Sequence, residues 1–255
     1  MNYFSPKDAA ERYAKGRPDF HLSTINEIKK YLKIHSKIEN ALDIACGTGL
    51  STKPLLEISN QVYGTDASEE MLKHAPCQNE IKYSKAFAEK QPFNDSFFEI
   101  ITVSSGVHWF NIDLFLEESL RLLKKKSWLV IYDNFFTGET NENNDLKTCY
   151  NTNYLSKFPA PARNNEYDWT QINLKSRGFQ YNKMYTFKNE VQMNLNELII
   201  YFTTQSNISK IIESNKMTYS EVESWLRNEL ATFFTDENQN ITLYFANWIK
   251  FLQKI

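Results

Sequence analysis

The chain has 255 residues, of which 42% are hydrophobic and 24% charged, close to the average of globular proteins. That balance excludes a largely disordered chain, and the length is enough to bury a core without disulfides or metals. Basic residues total 29 and acidic residues 31, so the basic excess that is typical of nucleic-acid binders is absent. We therefore expect a folded protein that does not bind nucleic acid.

Two further features bear on the compartment. Cys46, Cys77 and Cys149 are odd in number and include no CxxC pair, which disfavours a disulfide framework. Residues 1–20 carry no apolar segment of the secretory type, and no stretch reaches the roughly 18 apolar residues that would span a membrane. We expect a cytoplasmic protein without a membrane partner or a metal site, and the oligomeric state stays open.

Hydrophobic periodicity predicts alternating strands and helices in the first half of the chain. After a helical stripe at 21–40, strands are predicted at 41–46, 61–66, 81–87, 96–105 and 128–136. Helices are predicted between them at 51–59, 67–74 and 112–126. The lysines at 124–126 are interpreted as the end of the last helix, where they would suit the negative end of its dipole. This alternation predicts a parallel, doubly wound sheet.

The alternation stops after Phe136, and the second half is rich in aromatic residues that could line an apolar pocket or pack a core. The pattern predicts a polar loop at 137–148, helical character at 149–178, a strand at 179–191, and helices at 195–213 and 218–234. The segment 241–253 fits a strand or a helix by pattern alone.

The strongest functional signal is the strand end at 41–49, which turns through Gly47 and Gly49. Without Cβ atoms, the two glycines can take positive φ and let a ligand approach the backbone, which then faces a helix N-terminus. Asp43 in the strand would repel the phosphate of a dinucleotide and suits a ligand with an ammonium group. The third glycine of a dinucleotide loop is also absent, because position 52 is Thr52.

Asp66 is the second signal, because it closes the next strand. An acid at this place commonly accepts hydrogen bonds from both ribose hydroxyls of an adenosine. The alternative is an Asp that caps a turn. Together with the glycine loop, Asp66 predicts a cofactor that contains adenosine and an ammonium group.

These segments resemble the class I S-adenosylmethionine-dependent methyltransferases. Residues 42–49 are similar to the glycine-rich cofactor loop of that family, 62–72 to its ribose-binding strand and following helix, and 84–111 to the stretch between its third and fifth strands. The segment 10–20, paired with His-Trp-Phe at 108–110, resembles the type 11 small-molecule subgroup, which includes trans-aconitate methyltransferases.

The resemblance implies a Rossmann-like α/β fold with a doubly wound, seven-stranded and mostly parallel sheet. It also implies that the strand near 179–191 pairs with a strand at 241–253, with one antiparallel strand at an edge. The implied layout is one methyltransferase domain over 1–255, with an N-terminal lid at 1–36, a cofactor-binding core at 37–136, and an inserted helical cap or substrate region at 137–240.

The resemblance also implies site residues. The implied cofactor-binding residues are Tyr13, Arg17, Asp43, Ala45, Gly47, Gly49, Asp66, Ala67, Met71, Ala88, Glu89 and Ser104. Asp43 would orient the loop or hold the ammonium group through water, and Tyr13 and Arg17 would lie on a segment that closes over the site. Many relatives carry an Asp where this chain has Phe87, so adenine recognition is expected to depend on backbone groups and stacking.

For the methyl acceptor, the implied substrate residues are Trp109, Tyr154, Trp169 and Phe202. His108 is the candidate catalytic residue, with a structural role as the alternative. Cys46 is interpreted as a small filler of the core rather than a nucleophile.

The function implied is transfer of a methyl group from S-adenosylmethionine to a small molecule, with a carboxylate as the favoured acceptor. A carboxylate nucleophile needs no base, whereas a hydroxyl or an amine would benefit from one. Two alternatives stay open: a non-catalytic protein that binds S-adenosylmethionine, and an NAD-dependent oxidoreductase. Asp43 and the missing third glycine disfavour the oxidoreductase.

Overall fold

A computed structural model describes residues 7–142, 145–160 and 167–255. The part of the predicted helical region 149–178 that covers 161–166 lies outside the described residues. The strands are β1 (Ile38–Ile44), β2 (Ser59–Asp66), β3 (Ile81–Lys85), β4 (Phe98–Ser104), β5 (Leu123–Thr140), β6 (Phe179–Met193) and β7 (Ile241–Lys254). The α-helices are α1 (Lys7–Gly16), α2 (His21–Leu32), α3 (Glu69–Leu72), α4 (Ile112–Leu122), α5 (Asp145–Cys149), α6 (Leu155–Lys157), α7 (Gln171–Ser176), α8 (Leu195–Thr203), α9 (Ser206–Glu213) and α10 (Tyr219–Leu230).

The strands form one seven-stranded sheet in the order β3-β2-β1-β4-β5-β7-β6. The pairs β2 with β3, β1 with β2, β1 with β4 and β4 with β5 are all parallel. The chain runs outward from β1 to β3 and then crosses to β4 on the other side of β1. The predicted doubly wound sheet is therefore confirmed, and its strand order reverses between β1 and β4.

Strand β7 runs against its neighbours. The Gln253 side chain at its end donates to the carbonyl of Lys126 near the start of β5, whereas Tyr244 near its start accepts from Thr137 near the end of β5. The amide of Ile255, just after β7, donates to Gly178, just before β6. The segment 241–254 is thus a strand, and the antiparallel strand lies one place in from the edge. The expected edge position is wrong, because β6 pairs on the outer side of β7 and takes the edge.

Helices cover both faces of the sheet, because successive side chains of each central strand point to opposite faces and both sets are buried. On one face, Leu42 and Ile101 pack in a cluster with Phe115 and Leu116 of α4. On the other face, Ile25 and Ile28 of α2 pack in a second cluster that includes strand residues of the opposite parity. All these side chains are buried, so the two helix layers hold the central strands fixed beneath the site.

The prediction that the lysines at 124–126 end a helix is wrong. Helix α4 stops at Leu122, and buried Leu123 pairs with Phe98 as the first residue of β5. The next pairing of the ladder joins Ile100 to Trp128, so the lysines occupy a bulge. Lys124 forms an ion pair with Glu99 there, and burial of the apolar residue ahead of the lysines decides the backbone conformation.

Three other segments also differ from expectation. The predicted helix at 51–59 is a short 3₁₀ turn at Lys53–Glu57, and β5 continues to Thr140 through the start of the predicted loop at 137–148. The segment 149–178 contains a π-helical turn at Tyr150–Tyr154 besides short α-helices. The predicted strand at 179–191 and the helices near 195–213 and 218–234 are confirmed.

Contacts divide the chain into two compact units. The sheet unit comprises 19–134, 163–187 and 247–255, and the helical unit comprises 1–18, 135–162 and 188–246. The division into lid, core and cap regions stays a prediction. Within the described ranges, no helix is both long enough and apolar enough to cross a membrane.

Candidate active site

The loop after β1 has the backbone that close approach of a ligand requires. Ala45, Gly47 and Gly49 all have positive φ, at 56°, 55° and 79°. A Cβ atom on Gly47 would lie 3.0 Å from Cε of Met71, and one on Gly49 would lie 2.5 Å from the Tyr83 hydroxyl oxygen. Positive φ and the lack of space for a Cβ therefore both favour glycine at these two positions.

Asp43 is fully buried directly beneath this loop, at the end of β1. Its Oδ2 accepts hydrogen bonds from Ser51 Oγ at 2.6 Å and Thr52 Oγ1 at 2.8 Å, and its Oδ1 accepts from Thr102 Oγ1 at 2.9 Å. Burial raises the pKa of Asp43 to about 6, although the three hydroxyls oppose that rise. The carboxylate thus ties β1 to β4 and to the segment after the glycines, which fits the loop-orienting role among the two that were predicted.

Asp66, at the end of β2, organises the same loop from the other side. Its Oδ2 accepts from the amide of Gly47 at 2.8 Å, and its Oδ1 accepts from the amide of Ser68 at 2.7 Å. Burial raises the pKa of Asp66, and these backbone amides oppose the rise. Ser68 in turn caps α3 by accepting from the amide of Met71. The sequence singled out Asp66 for a ribose, and the structure shows that the same carboxylate also holds Gly47.

The residues expected near an adenine have different surroundings. Met71 and Ala88 are buried and Ala67 is half-buried. Glu89 accepts a hydrogen bond from the amide of Asn111, which is the N-cap of α4. Phe87, which replaces the Asp of many relatives, is 66% exposed, so its ring is available to a ligand.

The ends of β4 and β5 carry a second polar group. Ser104 pairs with Tyr132, and the next residue, Ser105, has a φ of 53°. The Ser105 hydroxyl donates to Oδ1 of Asp133 at 2.5 Å, and its amide donates to the carbonyl of Tyr132. A non-glycine residue held at positive φ stores strain, a condition that clusters at functional sites.

His108 lies three residues beyond Ser105, in a short 3₁₀ turn at Val107–Trp109. It is half-buried, its ring centroid is 4.7 Å from that of Trp109, and Trp109 is 38% exposed. The turn leads directly into α4. Ser104, His108 and Trp109 therefore lie in one stretch of chain that follows the end of β4.

Sequence reasoning missed two groups of the sheet unit. Asp133 ends the apolar run of β5, a place at which an acid is a recognisable signal in a parallel sheet. His21 is buried in α2, and its Nδ1 lies 3.2 Å from the Tyr132 hydroxyl. No local pattern indicates that pair, because its two members are far apart in the sequence.

The remaining predicted residues divide between the units. Trp169 belongs to the sheet unit, where its ring centroid is 4.6 Å from Nζ of Lys250. Tyr13, Arg17, Tyr154 and Phe202 belong to the helical unit. Tyr154 and Phe202 are buried there, with ring centroids 4.5 Å apart.

The chain is similar in sequence to known methyltransferases. Residues 42–131, which include the glycine loop, Asp66 and the Ser105 turn, match the model of a methyltransferase domain family. A Dictyostelium discoideum protein named as a methyltransferase is 27% identical over 224 residues, which cover 85% of this chain and 82% of that protein. The matched residues are a methyltransferase domain, and these likenesses support S-adenosylmethionine-dependent methyl transfer as the activity of the chain.

Two further likenesses concern fold and chemistry. A solved structure from Anaeromyxobacter dehalogenans, described as a type II methyltransferase, is similar with a TM-score of 0.70 at 15% identity, over 88% of this chain and 94% of that one. That likeness shows the fold. The malonyl-[acyl-carrier protein] O-methyltransferase of Buchnera aphidicola is 27% identical over 155 residues, or 58% of this methyltransferase and 62% of that protein.

The loop of this methyltransferase fits S-adenosylmethionine as its cofactor. The strand order reverses at the carboxyl ends of β1 and β4, which is where ligands bind in open α/β sheets. A Cβ atom at Gly47 or Gly49 would fill the space at the glycine loop. Asp66 is an acid at the end of β2, where ribose hydroxyls are commonly bound.

Proposed function

We propose that this methyltransferase transfers the methyl group to an oxygen of a small molecule, and that the favoured acceptor is a carboxylate. The glycine loop with Asp66 carries the assignment of the donor. Support for the acceptor comes from the Buchnera relative, which is by name an O-methyltransferase of a malonyl group. A malonyl group attached to a carrier keeps one free carboxylate.

The proposed cofactor residues in the sheet unit fall into two sets. Gly47 and Gly49 would admit the methionine portion to the backbone, while Asp43 orients the loop from below. Asp66 would accept from the ribose hydroxyls, and Phe87 would cover the adenine, where backbone groups supply the hydrogen bonds.

The cofactor supplies an electrophilic methyl group on a sulfonium, so the protein's task is to align the acceptor and to exclude water. A carboxylate acceptor has no proton to lose. His108 and Trp109 would then position the acceptor at the end of β4 rather than remove a proton. A hydroxyl acceptor would instead require a base, and His108 and Asp133 are two candidates near that strand end.

We also propose that the region 137–240 has a substrate-binding role. The π-helical turn at Tyr150–Tyr154 supports this, since such turns are frequent at functional sites. Tyr154 and Phe202 are packed inside the helical unit, so they would act by shaping that region.

The decisive experiment measures S-adenosylhomocysteine release by the full chain with a panel of carboxylic acids, phenols and amines of matched size. We expect turnover with carboxylates and little with the amines. Turnover with phenols alone would refute the carboxylate acceptor but keep the O-methyltransferase. Binding of S-adenosylmethionine without turnover of any compound would favour the non-catalytic alternative. A thermal shift with NADH but none with S-adenosylmethionine would favour the oxidoreductase.

A further inference from the structure

Four residues lie in register across the central strands of the sheet unit, and one of them has no side chain. Asp43 pairs with Thr102 of β4 and with Gly64 of β2. Gly64 pairs in turn with Tyr83 of β3. Paired residues of a parallel sheet project from the same face, so Gly64 leaves a gap between the side chains of Asp43 and Tyr83. Glycine inside a strand commonly marks the close approach of another group.

The ring of Tyr83 fills this gap. A Cβ atom on Gly64 would lie 2.7 Å from both Cδ1 and Cε1 of Tyr83, which is too close for a real side chain. The ring therefore lies directly over Gly64, on the way from β3 to β1. Its far end reaches the glycine loop, because a Cβ atom on Gly49 would lie 2.5 Å from the Tyr83 hydroxyl oxygen and 3.1 Å from its Cζ.

Gly49, which the ring contacts, holds the turn after β1 together. Its amide donates to the carbonyl of Cys46 at 2.9 Å, and its carbonyl accepts from the amides of Thr52 at 3.2 Å and Lys53 at 3.1 Å. A Cβ atom on Gly49 would also lie 2.9 Å from Cδ of Pro76, so a second ring limits the same residue. A group that fixes Gly49 therefore fixes the turn on both sides of it.

The Tyr83 hydroxyl contacts the loop as a neutral group. Burial raises the pKa of Tyr83, and the neighbouring Cys46 and Asp43 raise it further, while the Thr52 hydroxyl opposes the rise. The phenol therefore keeps its proton at neutral pH. Its effect on the loop comes from its size and position rather than from charge.

We propose that Tyr83 is a positioning residue for the cofactor: its ring, which Gly64 admits, holds Gly49 and so keeps the glycine loop in the conformation that binds S-adenosylmethionine. This inference rests on the proposed assignment of that loop to the methyl donor. Without the ring, the backbone of Gly49 gains freedom that binding must remove, so affinity falls. Gly64 has a role for the same reason, because a side chain there would displace the ring.

The test measures the dissociation constant of S-adenosylhomocysteine by calorimetry with the full chain, at a temperature well below the melting temperature of each variant. Tyr83→Leu removes the ring and should raise the constant by about tenfold, because the loop must then be ordered on binding. Tyr83→Phe keeps the ring over Gly64 and loses only the hydroxyl at Gly49. It should restore most of the affinity, to within about twofold to fivefold of the unmodified chain.

Tyr63→Leu is the matched control. Tyr63 precedes Gly64 on β2, but its ring packs in the cluster on the opposite face, with its centroid 5.3 Å from that of Phe93 and 5.5 Å from that of Phe98. The control should lower the melting temperature and change the dissociation constant by less than about twofold. If Tyr83→Leu lowers the melting temperature without changing the constant, or raises the constant no more than the control does, Tyr83 is structural and the inference is wrong.

Gly64→Ala tests the path of the ring while the tyrosine is kept. Gly64 does not have positive φ, so alanine is strained there only by contact. The change should raise the constant by about tenfold in the unmodified chain, and by less than about twofold where Tyr83→Leu has already removed the ring. The added Cβ would also lie 3.1 Å from Sγ of Cys46. A full effect in both backgrounds would assign the change to Cys46 and overturn the role of the ring. If Tyr83→Leu does not fold, an unchanged constant in Gly64→Ala overturns the inference by itself.

Gly47→Val distinguishes failure of the inference from failure of the proposed cofactor loop. If Gly47→Val abolishes binding while the changes at Tyr83 and Gly64 leave the constant intact, the loop binds the cofactor and only the inference fails. If Gly47→Val binds S-adenosylhomocysteine as the unmodified chain does, the loop is not the cofactor site and both fail.

Discussion

The ends of β1 and β4 in the sheet unit each combine a residue at positive φ with a carboxylate, but the two carboxylates differ in burial and in hydrogen bonding. After β1, Ala45 is held at positive φ near a carboxylate, Asp43, that is fully buried and accepts from three hydroxyls. After β4, Ser105 is held at positive φ and itself donates to a carboxylate, Asp133, that is only half-buried. The first carboxylate shapes a loop from beneath, whereas the second stands at the surface of the strand ends.

The difference shows that the burial of a carboxylate decides whether it can contact a ligand or only position the backbone. A fully buried acid with three hydroxyl donors cannot reach a ligand, so its effect on binding passes through the backbone that it holds. A half-buried acid at a carboxyl edge of the sheet can meet a ligand directly. The predictions below test whether the β1 end serves the cofactor and the β4 end serves the acceptor.

The largest expected effect is that of Gly47→Val. Position 47 requires positive φ, which valine adopts only with strain, and the valine side chain would project toward Met71. S-adenosylhomocysteine should therefore no longer raise the melting temperature. Gly178→Ala is the matched control, because Gly178 also has positive φ in the sheet unit and its Cβ would meet Leu120 at 2.9 Å. The control should lose stability and keep the shift. An unchanged shift in Gly47→Val would remove this loop from the cofactor site.

Asp43→Asn should change how stability depends on pH. Because the pKa of Asp43 is raised from 3.8 to about 6 in the fold, its contribution favours folding below pH 3.8 and is lost as the pH rises through 6. The unmodified chain should therefore lose about 2 kcal/mol more than Asp43→Asn in unfolding free energy between pH 4 and pH 7. Urea unfolding at steps of pH measures this. Parallel curves for the two proteins would mean that Asp43 does not titrate in this range.

Asp66→Ala should remove most of the cofactor's stabilising effect. At 100 times its dissociation constant, S-adenosylhomocysteine should stabilise the unmodified chain by about 2.7 kcal/mol. The variant loses the proposed ribose contacts, worth about 1.5–3 kcal/mol each, and the brace on Gly47. Asp133→Asn is the control at the other strand end and should keep the full shift. A loss in Asp133→Asn would assign Asp133 to the cofactor and break the comparison.

The smallest effect is expected from His108→Gln. With a carboxylate acceptor, no proton needs to be removed, so kcat should fall by less than about tenfold while cofactor affinity stays the same. A base would instead contribute about 10²–10⁴-fold to the rate. A loss above about a hundredfold with unchanged cofactor affinity would therefore show that the acceptor carries a proton.

The sequence supports prediction of the β1 end better than of the β4 end, for a physical reason. Gly47, Gly49 and Asp66 are dictated by local backbone geometry, which leaves a pattern in a single stretch of chain. The Ser105–Asp133 contact depends on the pairing of β4 with β5, and a single segment contains no trace of it. The helix prediction for the lysines at 124–126 is wrong for the converse reason. Their local pattern is helical, but the burial of Leu123 in the sheet outweighs it.

The place of β7 has a consequence for the order of events during synthesis. Strand β6 is made before β7, yet β7 lies between β5 and β6 in the finished sheet. Residues 179–193 therefore have no strand partner in that sheet until 241–254 have left the ribosome. A chain of this order must keep an unpaired strand edge covered while about 60 further residues are translated, at roughly 5–20 residues per second. During those seconds the growing chain is expected to be most prone to aggregate and to depend on chaperones.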